Sequence, residues 1–126
     1  MLKKIIASED APAAVGPYSQ AVEAHGFVFC SGQVCLNTDG ELVGGDDVAA
    51  QTRQCMGNLG HVLGAANLSF DHVVKTTIFL TDMEDYGTVN EVYGEYFGDA
   101  PPARATVQVA GLPLGVAVEI ECIAAR

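Results

Sequence analysis

Two periodicities alternate along the chain. Apolar residues at Val48, Cys55, Met56, Leu59, Val62, Leu63 and Ala66 recur at intervals of three and four, which marks one helical face. Asp46 and Asp47 stand just ahead of them, where carboxylates cap free backbone N–H groups. A second stripe, Tyr86, Val89, Val92, Tyr93, Tyr96 and Phe97, predicts a helix over about 85–97. Gly98 suits its C-terminal cap, and Ala100-Pro101-Pro102 forbids continuation. Elsewhere the period is two or the run is β-branched. Strands are predicted over 2–6, 19–24, 27–31, 72–80, 104–110 and 116–124, with His25-Gly26 as a hairpin turn. In the last two strands Arg104, Thr106 and Gln108 share a face, and Glu119 and Glu121 oppose Val118, Ile120 and Cys122.

The resulting order, β-β-β-α-β-α-β-β, is that of an α+β domain spanning 1–126: a mixed six-stranded sheet with two helices packed on one face. Ala7 to Tyr18, punctuated by Pro12, Gly16 and Pro17, is expected to be an ordered loop, and 32–45 is turn-rich. Two helices cover only one side of so wide a sheet. The other side is expected to carry Thr106 and Gln108 with the acids of the last strand, and to face water or further subunits.

Composition narrows the class. Hydrophobic residues make up 49% and mean hydropathy is +0.24, so the chain is not intrinsically disordered. No apolar run approaches the ~20 residues of a membrane span. Met1-Leu2-Lys3-Lys4-Ile5-Ile6 begins like a signal peptide but stops short of the roughly 7–15 apolar residues one needs. Six basic against sixteen acidic residues give a net charge of −10, a field that repels phosphate backbones and acidic lipid. No nucleic-acid or membrane partner is expected. Cys30, Cys35, Cys55 and Cys122 form no CxxC pair and show no zinc-finger spacing to His25, His61 or His72. Reduced core thiols, a cytoplasmic setting and no metal site follow as expectations.

Few polar residues stand out for chemistry. Arg104 opens a strand directly after Pro-Pro-Ala in a chain starved of positive charge. Its planar fork suits a carboxylate or phosphate, and on spacing alone an ion pair with a nearby acid is the commoner outcome. Glu119 is a candidate general base, or simply a solvated acid beside Glu121. Tyr18 sits in Gly16-Pro17-Tyr18-Ser19, and Ser31-Gly32-Gln33 ends the most apolar strand. Asn90 lies off the stripe of the second helix. Each has an ordinary structural explanation as well. A dinucleotide fingerprint, a P-loop and a GxSxG elbow are all absent from the sequence.

In combination these stretches resemble the RidA family of reactive intermediate deaminases. The resemblance is carried, in order, by Ala11-Pro12 to Gly16-Pro17-Tyr18-Ser19-Gln20-Ala21, by Ser31-Gly32-Gln33 and by 48–54. It continues through Val74-Lys75-Thr76-Thr77-Ile78-Phe79-Leu80, Val89-Asn90, Pro102-Ala103-Arg104 and Val118-Glu119-Ile120-Glu121. It implies a chorismate-mutase-like fold, a homotrimer with pockets between subunits, and cofactor-independent hydrolysis. The implied substrates are 2-imino acids and 2-aminoacrylate-type enamines released by pyridoxal-phosphate enzymes, and the products are 2-keto acids and ammonia. By position, Arg104 matches the carboxylate-binding arginine and Glu119 the acid associated with the attacking water. Tyr18, Ser31, Gly32 and Asn90 match pocket positions, and Thr106 stands where many members carry cysteine. Pro101 and Gly111 depart from the common pattern. A specialised enamine deaminase of an aminomuconate-type pathway, or a non-catalytic carboxylate-binding regulatory trimer, are the competing expectations, and RNA cleavage fits the charge least.

Overall fold

The computed structural model describes residues 2–126. Its strands are β1 (Lys4–Ile6), β2 (Ala21–Ala24), β3 (Phe27–Gln33), β4 (Val73–Leu80), β5 (Ala103–Gln108) and β6 (Val118–Ala125), and its helices are α1 (Val48–Ala65) and α2 (Tyr86–Gly94). One six-stranded sheet has the order β1-β2-β3-β6-β4-β5. It is mixed: β5 runs parallel to β4 and every other pair is antiparallel. The predicted element order and both helices are observed. Among the described residues no helix is long and apolar enough to cross a membrane.

α1 starts where its acids predict, with the Asp47 carboxylate accepting from the Ala50 backbone N–H at 3.2 Å. Cys55, Met56, Leu59, Val62 and Leu63 on its inner face are fully buried against Val28, Ile78, Leu80, Val118 and Ile120. All four cysteines are free and buried. Two buried polar residues of α1 act as clamps on the loops that flank the sheet. Asn58 Nδ2 donates to the carbonyls of Val34 and Leu36, beyond the end of β3. Gln51 accepts from Ala117 N just before β6 and donates to the Gly45 carbonyl. Each clamp leaves no buried amide unsatisfied and fixes a segment next to a candidate residue.

Three expectations need correction. α2 ends at Gly94, not Phe97: the chain tightens into i→i−3 turns, with Glu95 N donating to Val92 O and Phe97 N to Gly94 O. These turns carry Tyr96 and Phe97 onto Phe70, with ring centroids 5.3 and 5.7 Å away, so the apolar stripe was correct but its last turn is not helical. Gly98 therefore is not the cap. The third correction concerns the two faces of the sheet. Residues paired across strands share a face. Arg104 pairs with Thr76, and Thr106 with Ile78, while Thr76 and Ile78 also pair with Cys122 and Ile120 on the helix side. Thr106 and Gln108 thus lie on the helix face, not with the acids of β6. Gln108 Oε1 accepts from Met83 N ahead of α2, which draws the polar side of this outer strand toward the helices.

The uncovered face carries Glu119 and Glu121 instead, together with Phe29 paired to Ile123, Phe27 paired to Ala125, and Val107 paired to Phe79. Phe27, Phe29 and Val107 are each 43% exposed. A row of large apolar side chains on an open sheet is a feature that isolated chains seldom leave in water.

Candidate active site

The seven candidate residues fall into two groups. Tyr18, Ser31, Gly32 and Glu119 line a cleft of about 540 Å³ whose other walls include Val34, Leu36 and Leu114. The loop before it is held by Gln20, which accepts from Ser8 N at 2.6 Å and donates to the Pro12 carbonyl at 2.8 Å. This anchoring leaves Tyr18 half exposed at the cleft. The Ser31 hydroxyl donates to the Ser19 carbonyl at 2.6 Å, so its proton ties the loop to β3.

Between Cys30 and Gln33 the β3–β6 register slips, since Cys30 opposes Cys122 and Gln33 opposes Ile120. Three steps along β3 match two along β6, which is a bulge at Ser31-Gly32. Such bulges re-aim side chains beside functional sites. Here the bulge brings the Gly32 backbone under the Glu119 carboxylate, so closely that a β-carbon at position 32 would collide with it. Glycine is required by that approach and not by its φ. Sequence reasoning missed the bulge, although a glycine inside a strand pattern is its usual signal. Leu114, on the rim, is a further residue it did not single out. Its backbone is left-handed at φ 61° and its side chain is exposed.

The Glu119 carboxyl titrates above the ordinary carboxylate range. Partial burial disfavours its charge, and the nearby Glu121 adds repulsion. That is the direction a general base needs at neutral pH.

The second group surrounds Arg104 on the other face of the sheet. Its Nη2 donates to the Tyr86 hydroxyl at 2.9 Å, and its guanidinium lies 5.0 Å from the Tyr93 ring centroid and 5.6 Å from that of Tyr86. Tyr93 is fixed in turn by a buried 2.7 Å hydrogen bond between its hydroxyl and that of Thr76. Among the described residues Arg104 has no carboxylate partner, whereas Arg53 pairs with Glu95 and Arg126 with Glu23. The ordinary surface ion pair is therefore not what this arginine makes. The Asn90 amide and the Arg104 charge together hold the Tyr86 phenol below its usual range. Thr106 follows on the same strand face, its Oγ1 buried and without a hydrogen-bond partner.

Arg104 and Glu119 point to opposite faces of the sheet, with β4 between their strands. Within one chain the two cannot converge on one small molecule.

Comparison with known proteins identifies the family. The family model described as Endoribonuclease L-PSP matches residues 8–126. YyfA of Yersinia pestis, described as a protein of the conserved Rid family, superposes with a TM-score of 0.95 at 46% identity, covering 98% of this chain and 99% of that one. This chain belongs to the RidA family. A mouse protein named 2-iminobutanoate/2-iminopropanoate deaminase is 50% identical, over 100% of this chain and 93% of its own length. TdcF of E. coli, solved with bound serine, has a TM-score of 0.92 at 42% identity and covers 98% of each chain. The chorismate-mutase-like α+β architecture expected from the sequence is thus shared with solved Rid structures.

Proposed function

We propose that the protein hydrolyses 2-imino acids and their enamine tautomers to 2-keto acids and ammonia, acting as a cytoplasmic homotrimer with its sites between subunits. The observation that carries this reading is Arg104, an arginine held by aromatic rings and left without a carboxylate partner in a chain with sixteen acids. A deaminase of this specificity among relatives at 50% identity supports the substrate class. The open apolar face with Phe27, Phe29 and Val107 supports self-association, and the four reduced thiols support a reducing compartment.

In the proposed reaction Arg104 of one subunit binds the substrate carboxylate through a charge-assisted fork and fixes C2. Glu119 of the neighbour takes a proton from water as the oxygen adds to the protonated imine carbon, giving a carbinolamine. The proton passes to nitrogen, the C–N bond breaks with its electron pair leaving on ammonia, and the carbonyl forms as the hydroxyl returns its proton to Glu119. Enamines enter after protonation at C3. Tyr18 and the Ser31-Gly32 bulge shape the water side, while Asn90 and the backbone at Thr106 shape the carboxylate side. The iminium carbon is electrophilic already, so these residues suffice and no cofactor is invoked. The chemistry implies that an enzyme eliminating water from serine or threonine supplies the substrate.

The test is a coupled assay in which a pyridoxal-phosphate dehydratase generates 2-aminoacrylate or 2-aminocrotonate and keto-acid release is followed. Acceleration proportional to added protein is expected. Folded, oligomeric protein that gives none would favour the regulatory trimer.

Two further outcomes follow from the cleft. Gly32→Ala should displace the Glu119 carboxylate, because the flexible acid yields more easily than the sheet. The rate is expected to fall roughly tenfold or more, since sub-ångström misplacement of a base is costly, while thermal unfolding shifts little. Glu121→Gln removes the repulsion that raises Glu119. Its acid limb in a rate–pH profile is expected at lower pH than in the wild type, where burial and repulsion act together to delay ionisation. An unmoved limb would mean that Glu119 is not the titrating base.

A further inference from the structure

Tyr86 belongs by pattern to the apolar stripe of α2, yet it is 37% exposed and its hydroxyl is engaged with Arg104. A phenolic oxygen offers two acceptor positions and one proton. Arg104 Nη2 occupies one acceptor position at 2.9 Å. With Arg104 donating to the oxygen, the hydroxyl proton is directed away from the guanidinium. Among the described residues it meets no protein acceptor. Among the described residues the other side-chain N–H groups of Arg104 have no hydrogen-bond partner, and Tyr93, tied to Thr76, lies against the guanidinium.

We infer that Tyr86 is a second carboxylate-recognition residue: its oxygen orients the Arg104 fork and its proton donates to the same ligand carboxylate. A ligand oxygen placed there would accept from a charged N–H and from a phenol at once, which a neutral amide in the same position satisfies less well. Tyr86 thereby sets a preference for acids over amides or esters, something a bare aromatic wall could not do. This deepens the proposed imine hydrolysis and rests on it for the identity of the ligand, but not for the binding geometry.

The test is calorimetric or NMR titration of the intact oligomer with two stable probes, 2-oxobutanoate and the isosteric 2-oxobutanamide, on wild type and Tyr86→Phe. Wild type is expected to prefer the acid. In Tyr86→Phe the acid should bind about tenfold more weakly, the loss of one hydrogen bond to a charged group, while the amide changes far less. Phenylalanine keeps the ring against Arg104, so a purely structural role would weaken both probes alike or neither. Either of those results overturns the inference, as does wild type that does not bind the acid. The coupled assay on the same preparations separates the two claims. Turnover with an acid affinity that Tyr86→Phe leaves intact removes Tyr86 alone, and a selective loss of acid affinity without wild-type turnover removes the hydrolase reading alone.

Discussion

Arg104→Ala is expected to lose about 10²-fold or more in turnover, because the truncated site gives up both the charge-assisted fork and the orientation it imposes on C2. The fold should be unaffected. Arg104 lies on the outermost strand, and its hydrogen-bonding partner is a single, partly exposed tyrosine. Tyr93 keeps its bond to Thr76 and the core beneath is untouched. Turnover measured beside gel filtration and circular dichroism checks both halves of this expectation. Arg104→Lys should recover only part of the loss, since an ammonium supplies the charge but not the planar pair of donors. Equal recovery by lysine would show that charge alone matters at this position.

Glu119→Gln should cost about 10²–10⁴-fold in rate, the usual contribution of a positioned acid–base group. The same change should not weaken the protein. The carboxyl of Glu119 titrates higher in the folded chain than in an unfolded one because burial and Glu121 oppose its charge. Above both values the ionised side chain therefore costs folding free energy, and that cost disappears as pH falls through the folded value. Glutamine removes the charge with nearly the same shape. At neutral pH the variant is expected to melt at the wild-type temperature or slightly above it while hydrolysing far more slowly. A large loss of thermal stability would mean that Glu119 holds the sheet together and does not act on water.

Much of the architecture could be read from periodicity. The α1 stripe, the acid cap at Asp47 and the alternation of β6 all appear where the pattern places them. His25-Gly26 is also a turn as expected, with φ of 52° and 81° at its two positions. Two limits had physical causes. Alternation divides β5 into two sets of residues but does not say which set meets the helices. Ala105 and Val107 are the more apolar set, yet they lie on the uncovered face, because Tyr86 at the start of α2 and the Met83 N–H just ahead of it present polar partners to Arg104 and Gln108. That assignment depends on contacts remote in sequence. The end of α2 was misplaced for a related reason: Tyr96 and Phe97 are apolar because Phe70 needs partners, and turns of either type deliver them.

The candidate site was legible in its residues but not in its grouping. Arg104, Glu119, Tyr18, Ser31, Gly32, Asn90 and Thr106 came chiefly from family resemblance, since each has an ordinary explanation on its own. What local physics adds is the division: Glu119 with Gly32 and Tyr18 on one side, Arg104 with Tyr86 and Asn90 on the other. The hydroxyl of Tyr86 was hidden because an aromatic at the start of a helical stripe reads as core.

The division also gives the sharpest test. If each site takes Arg104 from one subunit and Glu119 from the next, two inactive variants can repair one another. Arg104→Ala and Glu119→Gln proteins would be unfolded together, refolded as a mixture and assayed for imine hydrolysis, with mixed oligomers verified by mass. Random assembly places an intact arginine opposite an intact glutamate at roughly one interface in four of a cyclic trimer, so about a quarter of wild-type activity should return. Mixed oligomers as inactive as either parent would contradict a site shared between subunits, and with it the proposed mechanism.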